Sequence, residues 1–254
     1  MCIKDEIKEW KVIFNKYPNL PPQIWDYLCD AYEKKINDPN MDDPLIKAIR
    51  ENSPEYTFSE INKVFYYTYK ACGMNASDLI QTLGFYPNDT GEGRFEALLG
   101  EVRFINQLQK WGFQNIKPLK SGKVKCCDMF CERDRLKYAV EVFSTSEDKN
   151  RWPEDRLVKF FLGRAKDKRS QIDGTAARLN CDKKVLALVL NSKEPVLQAG
   201  HANFQSVVRK VAEVLNWGEN YHFILMTGMA TSVYSMSNNT IQVIPDEAIY
   251  RPLI

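Results

Sequence analysis

Two acidic residues, Asp128 in KCCDMF and Glu141 in YAVEVF, sit in short β-patterned runs on either side of the polar stretch 132–136. If residues 133–136 form the turn of a hairpin, antiparallel pairing sets Asp128 directly across from Glu141. Cys126, Asp128 and Phe130 then share a face with Ala139, Glu141 and Phe143. Directly opposed Cβ atoms lie ~4.5–5.5 Å apart, and like charges at that range destabilise a sheet unless something positive stands between them. Mg²⁺ or Mn²⁺ is the natural candidate, because a hard cation takes a carboxylate pair plus waters and leaves room for a phosphate oxygen. The plainer alternative is structural, with Asp128 capping the turn and Glu141 pairing with Lys125 or Lys137 on the surface.

A helix expected from about Phe95 to Trp111 precedes the hairpin and ends at Gly112. Phe95, Leu98, Leu99, Val102, Ile105 and Leu108 make its apolar stripe. Glu101 falls on the shoulder of that stripe, aimed along the boundary between helix and sheet, while Glu96 points well away and is expected in solvent. After the hairpin come a helix opened by Pro153 and running past Gln171, the strand KKVLALVLN, a helix around Gln205–Leu215, the strand HFILMTG, and a final SVYSMS/TIQVIP pair. The order αβββαβαβ makes this an α/β domain with a mixed sheet. Upstream, residues 5–69 carry helical periodicity broken at Pro18, Pro21, Pro22, Asn40 and Pro54, and apolar periodicity stops in GFYPNDTGEG. The expected division is a helical domain over 1–90 and an α/β domain over 91–254.

The chain has 254 residues, 44% of them hydrophobic and 27% charged, with a net charge of +2. That composition excludes disorder and supports a packed core. The longest apolar run, VLALVL, is too short to cross a membrane, and the segment MCIKDEIKEW lacks a signal-peptide apolar region, so a cytoplasmic protein is expected. Residues 1–90 are net −4 and the remainder net +6, which turns the second part toward polyanions and the first toward protein contact or homodimerisation. The seven cysteines form no CxxC pair and read as reduced thiols, with Cys126, Cys127 and Cys131 as small core residues. The two histidines, His201 and His222, show no HxxxH or HxE spacing and read as structural, and the lack of a phosphate loop, a dinucleotide fingerprint or a GxSxG elbow disfavours ATP hydrolysis, dinucleotide redox chemistry and serine-hydrolase chemistry.

The ordered set of a helical glutamate in GEVRFINQLQKWGF, a Gly-Phe pair, a strand, Asp128 and Glu141 resembles the core of the PD-(D/E)XK nucleases, which include Holliday-junction resolvases and many restriction endonucleases. The likeness covers roughly residues 94–190, including the helix with KDKRSQI and the strand after it. It implies a restriction-endonuclease-like αβββαβ core, a metal-dependent DNA endonuclease, Asp128 and Glu141 as Mg²⁺ or Mn²⁺ ligands with the Val142 carbonyl as a third, and Glu101 as an auxiliary acid. The family's lysine, two residues after the second acid, is Phe143 here. Some members move this cation to the next helix, and the stretch Arg151–Arg169 carries seven Lys/Arg against three Asp/Glu. Lys159, Arg164, Lys166 and Lys168 are substitutes, Gln171 is a polar helix residue near the site, and Arg164, Lys168 and Arg169 are candidate nucleic-acid contacts. The alternative implied by Phe143 is a nuclease fold that has lost its chemistry and binds nucleic acid or a protein partner.

Overall fold

The computed structural model describes residues 3–38, 43–89, 93–119, 125–145, 152–190, 201–226, 230–235 and 240–245. Five helices come first: α1 (Ile3–Phe14), α2 (Pro22–Asn37), α3 (Pro44–Asn52), α4 (Pro54–Cys72) and α5 (Ala76–Thr82). Proline opens α2, α3 and α4, where its missing N–H costs nothing. The Asp43 side chain caps α3 by accepting from the Ile46 N–H at 2.9 Å, and Gly73, at φ +64°, ends α4 in the left-handed conformation that glycine adopts without strain. Trp10, Phe14, Leu28, Phe58 and Phe65 pack the interior between these helices.

The rest follows as α6 (Arg94–Lys110), β1 (Gln114–Pro118), β2 (Met129–Arg133), β3 (Leu136–Thr145), α7 (Glu154–Leu179), β4 (Lys183–Leu190), α8 (His201–Leu215), β5 (Tyr221–Met226), β6 (Ala230–Ser235) and β7 (Thr240–Pro245). The seven strands lie in sequence order. β3, β4 and β5 run parallel, and the flanking pairs β1–β2, β2–β3, β5–β6 and β6–β7 are antiparallel. The molecule is therefore an α/β protein with a mixed sheet. Period-two alternation sorts β4 cleanly: Leu186, Leu188 and Leu190 pack on one face with α7 and α8, and Val185, Ala187 and Val189 pack on the other with α6.

Three expectations are corrected. The hairpin turn is tighter than residues 133–136, since Arg133 still pairs with Leu136 and only Asp134 and Arg135 turn, at φ +53° and +65°. Two successive positive φ values give the turn whose twist matches that of its strands. The pairing is unchanged by this, because Met129 faces Val140 and Phe130 faces Ala139. The strand expected over KVKCCDMFC begins only at Met129; Cys126–Asp128 precede it, and residues 123–124 lie outside the described residues, as does Arg151 of the basic stretch. Glu96, expected in solvent, is only 2% exposed. A wheel with one apolar stripe assumes one buried face, whereas α6 is walled on two: Phe95, Leu98, Leu99 and Val102 join the helical core, and Phe104, Ile105 and Leu108 join the core under the sheet.

Candidate active site

β3 carries Glu141 in the middle of the sheet, with its side chain on the α7 face alongside Ala139 and Phe143. It is 0% exposed. A buried carboxylate needs partners, and α7 supplies two. Lys168 Nζ donates to Oε1 in a salt bridge, and Gln171 Nε2 donates to Oε2 at 3.0 Å. Gln171 also donates to the Cys126 carbonyl, one turn before Thr175, whose Oγ1 accepts from the Cys127 N–H at 2.9 Å. The Leu119 N–H donates to the Asp128 carbonyl at 2.8 Å. The segment entering Asp128 is thus fixed from both sides, and Asp128 turns its carboxylate onto the next strand, where Oδ2 accepts from the Val142 N–H at 2.7 Å.

Glu101 comes from α6 and completes the group. Among the described residues its carboxylate has no hydrogen-bond donor, and it lines a small open pocket of about 40 Å³ with Leu83, Phe85, Tyr86, Arg94 and Leu98. Burial raises the Glu101 pKa well above the usual carboxylate range, and the Asp128 and Glu141 charges raise it further. Burial also lifts Asp128 to about 6, against the Val142 N–H and Lys168. Glu141 rises to about 8, through burial first and the Asp128 charge second, with Lys168 opposing. Lys168 itself is pulled down by burial, but Glu141, Asp128 and Glu101 outweigh this and leave it above its ordinary value. The three carboxylates therefore act on one another, and Lys168 opposes the rise in each.

The structure separates the basic candidates. At ~100° per residue, Lys159 and Lys166 lie on the opposite side of α7 from Lys168, and both are exposed. Arg169 is engaged elsewhere, with Nε 3.6 Å from Asp173 and its guanidinium over Trp217. Arg164 is exposed one turn before Lys168, with its guanidinium over Phe160. Only Lys168 reaches the carboxylates. A readable signal marks it: Leu157, Phe161, Ala165, Ile172 and Ala176 are the buried stripe of α7, and Lys168 occupies the stripe position between Ala165 and Ile172. Thr175 is a site residue that the sequence reading did not single out; its place on that face, four residues after Gln171, is the corresponding sign. Phe143 points to α7 as well, with its ring 5.4 Å from that of Phe161.

Protein-family models, curated proteins and solved structures were each compared with the chain, and none matches.

The chemistry of the cluster must then be read from its own donors. No group of three or more His, Cys, Asp or Glu among the described residues is arranged to enclose a metal ion by itself. Asp128 and Glu141 could hold a divalent cation as two carboxylates, and water would complete the shell, as is usual for Mg²⁺; the contact that Val142 makes with Asp128 is through its N–H. The charge balance favours such an occupant, since the three carboxylates, when ionised, leave two negative charges that Lys168 does not offset.

Proposed function

We propose that this chain is a divalent-metal-dependent endonuclease that hydrolyses DNA phosphodiester bonds, with a PD-(D/E)XK-like core in which Lys168 of α7 stands in for the lysine that Phe143 replaces. The observation that carries the reading is the meeting of Lys168 with Glu141, beside Asp128 and Glu101, on a strand–helix frame in the expected order. A cation bound by Asp128 and Glu141 would polarise the scissile phosphate and make an attacking water more acidic. Lys168 places a positive charge where negative charge develops on phosphorus. Glu101, held above the usual carboxylate range by burial and then by the Asp128 and Glu141 charges, stands beside the pair as an auxiliary acid. Gln171 and Thr175 hold Glu141 and the approach to Asp128 in position.

The test is cleavage of supercoiled plasmid in Mg²⁺ or Mn²⁺ by wild type and by Asp128→Asn, Glu141→Gln and Lys168→Gln, with folding followed by circular dichroism. Each variant is expected to stay folded and to lose about 100-fold or more in rate. Undiminished cleavage by Glu141→Gln or Lys168→Gln would remove the assignment.

A further inference from the structure

Upstream of Lys168, residues recur at four-residue spacing toward the start of α7: Arg164, Phe160, Arg156 and, just before the helix, Trp152. Cations and rings alternate. The Arg156 guanidinium lies 3.9 Å from the centre of the Trp152 ring, and that of Arg164 lies 5.7 Å from the centre of Phe160. The Trp152 and Phe160 rings meet edge to face at 5.7 Å, and Phe160 in turn meets Phe143, two residues beyond Glu141, at 6.4 Å. The row is therefore continuous with the strand that holds the site. Arg156 and Arg164 are exposed, while the rings of Trp152 and Phe160 are partly so.

Structural packing alone does not account for this pattern. An arginine that only shields an aromatic ring needs no second one in register, and the face of α7 that packs against α8 uses other residues: Glu154 accepts from Ser206 at 2.8 Å and pairs with Lys210. At ~1.5 Å rise per residue, Arg156, Phe160 and Arg164 follow one another at ~6 Å along the helix, on the scale of one nucleotide step in an unstacked strand, while the Trp152 and Phe160 rings, in contact at 5.7 Å, form one joined aromatic surface. Aromatic faces that stack bases, alternating with guanidiniums that meet phosphates, are how proteins track single strands without reading their sequence. A duplex keeps its bases in the stack and offers such rings nothing.

We propose that the row Trp152–Arg156–Phe160–Arg164 is a track for a single-stranded polynucleotide leading to the phosphate at Lys168 and Glu141. The proposal deepens the nuclease reading: the substrate class becomes DNA with an unpaired strand beside the cut, such as a flap, a bubble or a frayed end. Sugar contacts do not enter the argument, so the shared chemistry is that of any single strand, and DNA and RNA probes separate the two sources.

The experiment measures binding in EDTA, so that it does not depend on cleavage. Fluorescence anisotropy is recorded with labelled oligothymidylate and oligouridylate of about twenty nucleotides, a length that spans such a track, and with a duplex of the same length. Wild type should bind a single strand more tightly than the duplex, and the tighter of the two single strands assigns the sugar. Trp152→Ala should weaken that binding about fivefold or more. Arg156→Gln/Arg164→Gln should reduce the slope of log affinity against log salt by about 1.4, the loss of two phosphate contacts. Arg178→Gln, at the other end of α7, controls for loss of charge alone and should bind as wild type does. A preference for duplex, wild-type affinity in the Arg156/Arg164 variant, or an equal loss in Arg178→Gln overturns the track. Circular dichroism excludes unfolding as the cause. Loss of binding in the track variants alongside a wild type that never cuts would sink the nuclease reading and leave the track standing; a wild type that cuts without single-strand preference does the reverse.

Discussion

Glu141 is the residue on which the site's energetics turn. An unfolded glutamate titrates near ~4.3, and burial together with the Asp128 charge raises Glu141 to about 8 in the folded chain. Between those values the folded state keeps a proton that the unfolded state has released, so this group's contribution to metal-free stability falls as pH rises through the window and is fully lost above it. His222 acts in the opposite sense and lower down: burial depresses it to about 4, and its contribution is complete above the ordinary histidine range. From about pH 7 to 8.5 the buried thiols, raised by desolvation, add a fall of the same sign in any variant, so the difference between wild type and Glu141→Gln isolates the carboxylate. Melting temperature in EDTA should drop further across that interval for wild type than for Glu141→Gln, which keeps the shape and loses the charge. Mg²⁺ or Mn²⁺ should recover the wild type most at the upper end, because the metal takes the deprotonated site. A melting temperature that climbs between pH 7 and 8.5 without metal would contradict the raised Glu141 value.

At the scale of elements, the β2–β3 hairpin shows what a sequence discloses and what it withholds. The register of the hairpin was legible because the sum of paired residue numbers survives a change in turn length, so the tighter turn left Met129 opposite Val140 and Phe130 opposite Ala139; Asp128 lies one residue before the first pair, and its carboxylate is fixed by the Val142 N–H. The turn itself was less legible, since neither Asp134 nor Arg135 is a glycine, although both take positive φ. Arg135 adopts at φ +65° a conformation that costs a side-chain-bearing residue roughly 1–2 kcal/mol. Glycine would relieve that cost and give back part of it in unfolded-state entropy. Arg135→Gly should raise stability by about 0.5–1 kcal/mol, read from the urea midpoint; an unchanged or lower midpoint would show that the turn is not strained. The helices were harder in a different way. Glu96 was misplaced because periodicity along one helix cannot reveal a second neighbour arriving from α1–α5. Lys168 stood unresolved among four cations because the rotation of α7 about its own axis is set by its buried stripe, which had to be traced through Ala165 and Ile172 before the lysine between them could be placed.

Across the whole molecule, the site draws on contacts of very different span. Asp128 and Glu141 are joined through a two-residue turn, whereas Lys168 and Gln171 arrive only after β3 has been left and α7 has crossed back over the sheet. The order αβββαβαβ and the mixed character of the sheet were readable from period and punctuation; the two-sided burial of α6 was not, because it depends on how distant segments meet. That disparity in span carries a kinetic consequence. Short loops close before long ones, so a refolding chain brings its two anions face to face before the lysine that neutralises them has docked. Repulsion then enters the barrier at every pH where both are ionised. Stopped-flow refolding in EDTA should slow as pH rises from about 5 to 8, and Glu141→Gln should refold at a nearly constant rate over the same range. A constant rate in both would mean that α7 docks first and the hairpin closes onto a cation already waiting, and equal slowing in both would place the barrier outside this pair.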